Sequence, residues 1–379
     1  MTKAAELAKI GEVATNGQIG GRRNAIINGG FTISQRNGTT STLMANNNFS
    51  IDRWNYYLGG SVRNKTQQLV SDNAAVVALN TASGQTFNNA LLADCTTAAA
   101  ASNDDLVGYI QVIEGSNSVP LAGQVSTLSF YVQSSVAGQY YVALKIGSAR
   151  SYIASYTVNS ADTWERKEIS LIMDTLAELE DGGSILDNAG FQVHFTLRAT
   201  TSSQLTNNIN QWVDGNFYAK SDQVSWGTNT NQNWYLAGVQ LELGSKATPF
   251  EHKLIGEEEN LCKRYFIKHK AAAPFERFAL GTNVTTDDAA FLFKFYPAMR
   301  GIPTLTIGTL SHLCVTDADG SNEAIGTAPV IDAAADSNLG VIVYCADITN
   351  DTLTAGDASF LAAADNVNAF LAFDAEIPE

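Results

Sequence analysis

Few side chains in this sequence are placed to move protons or to hold a metal ion. The four histidines, His194, His252, His269 and His312, stand apart from any H-E-x-x-H pair, G-x-S-x-G elbow or cysteine nucleophile. His194 falls on the outward phase of a strand pattern, His252 follows Pro249-Phe250-Glu251 in a loop, His269 ends a helical stretch and His312 enters a strand. Each reads as a structural or solvated imidazole. The run Asp317-Ala318-Asp319-Gly320-Ser321-Asn322-Glu323 has the outline of a calcium loop, but an EF-hand needs its glycine at the sixth position and Gly320 stands fourth. Asp-Gly is a strong turn signal, so a hairpin tip is expected there. Asp104 with Asp105, and Glu178 with Glu180 and Asp181, bring carboxylates together. Glycoside hydrolysis needs two carboxyl groups about 5 to 9.5 Å apart across the bond, whereas neighbours on a polar loop are more simply solvated. Gly29-Gly30, Gly59-Gly60 and Gly182-Gly183 lack both a Walker lysine and a following helix, and read as turns. Cys95, Cys262, Cys314 and Cys345 form no C-x-x-C pair and are expected to be reduced, mostly buried thiols. No catalytic residue, metal or cofactor is assigned.

The chemistry that the composition does support is contact with neutral sugar. An aromatic ring stacks on the apolar face of a saccharide while nearby amides and hydroxyls meet its hydroxyl groups, with no need for net charge. The rings available for this are Tyr141, Tyr152, Trp164, Trp212 and Trp226, the last two amid Asn, Gln and Ser. Trp54 and Tyr56 alternate on one strand face, and Trp234 heads an apolar strand and reads as core. For any one of these rings, packing in the interior is the competing role. The charge balance points the same way: 23 basic against 38 acidic side chains give −15, with a sequence pI near 4.6. Such a chain has no footprint for phosphate backbones or anionic lipid, so neither nucleic acid nor a membrane surface is expected as a partner. Apolar residues make up 45% of the chain and charged ones only 16%, which favours folding over disorder. No stretch approaches the 18 or so apolar residues of a membrane span, and the first residues carry no apolar run of signal-peptide length.

The elements that must position these residues are strands. Leu128, Phe130 and Val132 share one phase, as do Tyr140, Val142, Leu144 and Ile146, and then Phe191, Val193, Phe195 and Leu197 with Gln192, His194, Thr196 and Arg198 facing away. Gly, Asn and Ser clusters punctuate the runs. Strand after strand over 22–252 predicts an antiparallel β-sandwich of jelly-roll type. In its last strand Trp234 and Leu236 hold one phase and Val239 and Leu241 the other, which predicts a β-bulge at Ala237-Gly238. Residues 1–21 carry a short helix with Ala4, Leu7 and Ala8 near one face, too short to be stable alone, followed by a glycine-rich connection. A connecting segment over 253–270 begins with three glutamates and ends with Lys263, Arg264 and Lys268, which suits a helix dipole, and Leu261 and Tyr265 supply its apolar side. Residues 271–379 return to strands, with Phe291, Phe293 and Phe295 on one face, and predict a second, smaller sandwich. At 379 residues the chain is long enough for both cores. The fold class is therefore all-β, with a short N-terminal helix, a jelly roll, a linker helix and a second sandwich.

Several strings also occur together in a familiar order. Arg23-Asn24-Ala-Ile-Ile-Asn28-Gly29-Gly30-Phe31 with Ser34-Gln35-Arg36, then Asp52-Arg53-Trp54, resembles the opening of many bacteriophage tail fibre and minor tail proteins. Trp234 through Gln240, Glu242 and Gly244, then Ala247-Thr-Pro249-Phe250-Glu251-His252 and Cys262-Lys-Arg264-Tyr265, is similar to their closing strand and linker. Pro297-Ala-Met299-Arg300 with Pro303-Thr304, and Phe373-Asp-Ala375-Glu376-Ile377, resemble their C-terminal domain. The resemblance implies a virion protein of the tail, assembled in the host cytoplasm, non-catalytic and homotrimeric, that recognises host surface glycan. Its matched residues are architectural, which makes Trp54 an anchor in preference to a sugar platform. Under this resemblance the N-terminal helix would meet a tail adaptor or tail tube protein through Ala4, Leu7 and Ala8, and Leu261 and Tyr265 would contact trimer partners. The loop 311–338, with Asp317, Asp319 and Asn322, would form the distal tip and join the glycan-contact set. The rival readings are a head or tail decoration fibre without receptor binding, and a polysaccharide-cleaving tailspike, which would normally carry a long repetitive β-helix absent here.

Overall fold

The computed structural model describes residues 22–100, 105–180, 189–333, 337–349 and 353–377. The expected N-terminal helix with Ala4, Leu7 and Ala8, and the turn at Gly182-Gly183, lie outside the described residues. The chain divides into two compact units, Met1–Glu258 with Ile377–Glu379, and Glu259–Glu376. Both are all-β, with antiparallel sheets throughout.

The first unit is a sandwich of two sheets. One runs in the order β1 (Thr42–Leu43), β4 (Arg63–Leu69), β5 (Ala90–Thr97), β13 (Asn233–Leu243), β7 (Val125–Ser134) and β10 (Glu165–Ile172). The other runs β12 (Trp212–Asp214), β9 (Arg150–Val158), β8 (Gly138–Ile146), β11 (Ala189–Ala199), β6 (Leu106–Glu114), β3 (Trp54–Gly59) and β2 (Asn48–Ile51). The period-2 phases place Leu128, Phe130, Val132, Tyr140, Val142, Leu144, Phe191, Val193, Phe195 and Leu197 in one core between the sheets, with Trp54, Tyr109 and Trp234. The register of β13 against β7 shifts between Ala237 and Gln240, and Gly238 there has φ +57°, so the predicted bulge is present.

The strings that carry the family resemblance interlock across this sandwich. Asn24 Nδ2 donates to the Val239 carbonyl at 3.0 Å while its Oδ1 accepts from the Leu241 amide at 3.0 Å. The Glu251 carboxylate accepts from the amides of Arg23 and Asn24, and the Gln240 side chain accepts from the Glu251 amide at 2.8 Å. The Trp54 indole donates to the Asn28 carbonyl at 3.0 Å, and Asp52 accepts from the Gln35 amide and its side chain. A side chain at Gly29 would place its Cβ 2.1 Å from the Val239 carbonyl oxygen, so only glycine fits. These residues are architectural, and Trp54 is fully buried.

Two features of this unit run against the sequence reading. Residues 74–83 are a helix, Ala74–Ser83, inside a region read as strands alone. Its signals are local: Asn73 caps the N-terminus by accepting from the Ala75 amide, Gly84 closes the C-terminus at φ +64°, and the run between is rich in Ala. The second feature is burial of the outward phase of β11. Gln192, His194, Thr196 and Arg198 are each no more than 2% exposed. The long connection between β11 and β13 covers that face, where Leu205, Ile209, Phe217 and Tyr218 pack on Tyr141, Ala143 and Ile153.

In the second unit a three-stranded sheet, β14 (Phe266–Lys270), β23 (Phe370–Asp374) and β17 (Thr304–Ile307), accompanies a seven-stranded one. The larger sheet runs β19 (Asn322–Ala324), β18 (Leu313–Thr316), β22 (Ala358–Ala363), β15 (Arg277–Asn283), β16 (Ala289–Lys294), β21 (Gly340–Cys345) and β20 (Val330–Ile331). Phe291, Phe293 and Phe295 lie in its core with Val341, Val343, Leu361 and Phe373. The connecting helix is shorter than the segment read for it, Ile255–Lys263, because residues 266–270 pair with β23 over five positions and form a strand. Tyr265, placed on the helix as a trimer contact, follows it and is fully buried in this chain, so it has no ring face for a partner; Leu261 is half-buried. The stretch 311–338, read as a loop, carries three short strands, β18, β19 and β20, and its Asp-Gly turn closes the hairpin of β18 and β19.

Candidate functional site

Most of the aromatic candidates are taken by the interior. Trp226 is fully buried in the sandwich core. Trp164 lies beneath the helix Ala74–Ser83, packed with Val76, Leu79 and Tyr131, and its indole donates to the Ala75 carbonyl at 2.8 Å. Tyr141 sits under the long connection with its hydroxyl on Asp222 at 2.5 Å; burial first, and then that carboxylate, push its pKa up. These three have no ring face for a ligand, a correction that follows from what covers each sheet. Asp317, Asp319 and Asn322 belong to the second unit. There Asp317 accepts from Asn283 and from the Ala318 amide, Asp319 from the Ser321 amide, and Asn322 from Thr316. Their polar atoms shape the hairpin.

Trp212 and Tyr152 are brought together. They are register partners on β12 and β9, with ring centroids 5.7 Å apart. The Trp212 indole N–H donates to the Ile172 carbonyl on β10 at 2.9 Å, and its ring lies 6.0 Å from that of Phe191. Because β10 and β12 are edge strands of the two opposed sheets, this bond ties the sheets across the open side of the sandwich. Beside it runs a groove of about 440 Å³ lined by Val125, Tyr152, Ser170, Leu171, Ile172, Asn210, Gln211 and Trp212. Val125 is 43% exposed and Ile172 62%. The side-chain amides of Asn210 and Gln211 are exposed and make no hydrogen bond among the described residues. Burial raises the Tyr152 pKa, so its phenol stays protonated at neutral pH.

A charged cluster lies beyond the Trp212 end of the groove, outside its lining. Two residues along the same strands, Arg150 stands opposite Asp214. Arg150 Nε lies 2.5 Å from Asp174 Oδ2 and 3.6 Å from Glu178 Oε2, and its other arm pairs with Asp214. The hydrogen bond to Asp174 is the main reason its pKa is raised.

The arrangement offers a partly open indole, two amides and apolar shoulders: a surface able to stack and hydrogen-bond a neutral polar molecule. Among the described residues no three His, Cys, Asp or Glu side chains converge as metal ligands. All four cysteines are buried free thiols. Sequence reasoning missed Val125, Ser170, Leu171, Ile172, Asn210 and Gln211. The run of amides before Trp212 was the available signal, but the pairing that places β10 beside it is non-local.

No family model matches the chain, and no curated protein matches it. Solved structures of similar shape include the Family 11 Carbohydrate-Binding Module from Clostridium thermocellum in complex with a beta-1,3-1,4-mixed-linked tetrasaccharide. It shows 13% identity, 56% of this chain and 99% of that one covered, and a TM-score of 0.26. TmCBM61 in complex with beta-1,4-galactotriose shows 11% identity, 59% and 99% coverage, and a TM-score of 0.29. The enzymatically active domain of tailspike protein 4 from Bacteriophage CBA120 shows 10% identity, 58% and 21% coverage, and a TM-score of 0.29.

Proposed function

We propose that the first unit binds saccharide in the groove beside Trp212, and that the chain serves as a non-catalytic bacteriophage tail fibre protein that attaches the virion to host surface glycan. The observation that carries the sugar reading is the groove itself. Of the aromatic residues assigned to glycan contact, Trp212 combines a partly exposed ring with exposed amides on the same edge. The virion reading is supported by the ordered strings from Arg23 to Ile377, of which those in the first unit are tied together by Asn24, Gln240 and Glu251. A homotrimer would multiply weak single-site affinity, because second contacts become effectively intramolecular.

A glycan array probed with the full chain tests the sugar reading: binding is expected to at least one saccharide, and Trp212→Ala should weaken it by at least about tenfold. Trp212→Phe, which keeps a ring, should retain part of the affinity. Binding untouched by Trp212→Ala would move the site elsewhere, and no binding by a chain found in the particle would favour a decoration fibre. Sedimentation equilibrium checks the trimer, and immunogold labelling of virions checks the tail location.

A further inference from the structure

We infer that the groove discriminates against acidic saccharides in favour of uncharged ones, with Asp214 the residue that sets the preference; this rests on the reading of the groove as a sugar subsite. Among the described residues no lysine or arginine lines the groove. The charged groups beyond its end are Asp174, Glu178 and Asp214 against the single guanidinium of Arg150, a formal balance of 1 − 3 = −2. The order of exposure matters more than the sum. The Asp214 side chain is 87% exposed and that of Glu178 42%, while that of Arg150 is 20% exposed beneath them. A ligand therefore meets carboxylate first, and the cation is already held by three partners. Asp214 lies two strand positions from Trp212, about 7 Å along β12. That distance is within a Debye length of a sugar ring stacked on the indole. A sugar hydroxyl at that end donates to carboxylate oxygen, whereas a uronate meets like charge, reinforced by the chain's −15.

The test is a matched panel: gluco- against glucurono-oligosaccharides and galacto- against galacturono-oligosaccharides of equal length and linkage, titrated into the full chain. At about 0.01 M salt the acidic member of a binding pair should be about three- to tenfold weaker, and the gap should shrink towards unity at about 1 M. Asp214→Asn should narrow the gap at low salt, and Glu178→Gln should narrow it less. Acidic members that bind as tightly as neutral ones at low salt, in a manner lost with Trp212→Ala, would overturn the inference and leave the sugar reading standing. A preference that ignores both salt and Asp214→Asn would also overturn it, since shape and not charge would then decide. Binding of no member to the wild-type chain would overturn the sugar reading, and the inference with it.

Discussion

At the scale of single residues, the sandwich spends buried polar side chains on structure. His194 is the clearest case. Its ring lies between those of Tyr57 and Tyr218, at 5.4 and 5.3 Å, with Nε2 on Gln192 at 2.9 Å. Lys145 stands over the Tyr218 ring on the same face. Burial, and then the Lys145 charge, hold the His194 pKa well below the usual imidazole value. The folded state thus keeps this ring neutral at pH values where the unfolded chain takes up a proton, so stability is full above about pH 6.5 and declines as pH falls below it. Between the unfolded and folded pKa values the loss is about 1.4 kcal/mol per pH unit for this group. His194→Gln should remove that slope, seen as a flatter dependence of urea-unfolding stability between about pH 6.5 and 5. Burial also lowers the pKa of His252 and His269, so part of the acid sensitivity should persist in the variant. An unchanged slope would mean that His194 is reached by solvent. Arg198 shows the same use of charge: it pairs with Asp105 at 2.5 Å, both side chains at 1% exposure or less, and donates to the carbonyls of Ala99 and Trp226.

At the scale of elements, β13 carries the heaviest demands, because it is central in its sheet and also receives the N-terminal strings. Its bulge turns the second half of the strand so that Val239 and Leu241 face the core after Trp234 and Leu236 have done so. Gly238 holds the bulge at φ +57°, and a Cβ there would lie 2.8 Å from the Phe87 ring. Gly238→Ala should therefore cost about 2 kcal/mol or more, through both the left-handed backbone and the crowding. Equilibrium denaturation would check this, with Gly84→Ala as a comparison, since Gly84 is also at positive φ but has open space for a Cβ. Equal costs at the two positions would show that packing against Phe87 adds nothing. The phase change of β13 was legible from the residues alone, as were the inward faces of β7, β8 and β11. The helix Ala74–Ser83 was not read, although its Asn73 and Gly84 caps are both present in the sequence, because it is a single short element inserted among strands.

For the whole molecule, the two units each have a core of their own, centred on Phe130, Phe195 and Trp234 in the first and on Phe291, Phe293 and Phe373 in the second. Phe293 is 5.0 Å from the Phe373 ring, which joins the larger and smaller sheets of the second unit. Phe293→Ala should lower that unit's stability by about 3 to 5 kcal/mol, read as faster hydrogen exchange in β15, β16, β21 and β23. Exchange unaltered in β23 would show that the two sheets do not share one core. The boundary at Glu258/Glu259 falls within the helix Ile255–Lys263. The sequence showed a helical dipole pattern there, but not that residues 266–270 would leave it for a strand, which depends on β23 about a hundred residues later.

What the sequence determined by itself is whatever short-range spacing encodes: the all-β class, the alternation that fills both cores, the bulge in β13, and the turn chemistry at Asp317 to Gly320. It also set the net charge of −15, from which no phosphate-binding role is expected. Only the tertiary structure decided which aromatic faces meet solvent. Trp164 stands just before β10 and Trp212 opens β12, each among polar residues, and the two look alike along the chain. A helix from residues 74–83 covers one, while the other stands at a sheet edge with its indole bonded to Ile172 of the opposite sheet. A strand pattern tells which phase faces the core between the sheets. What lies over the outer phase depends on where remote segments pack, and that is settled by the whole fold.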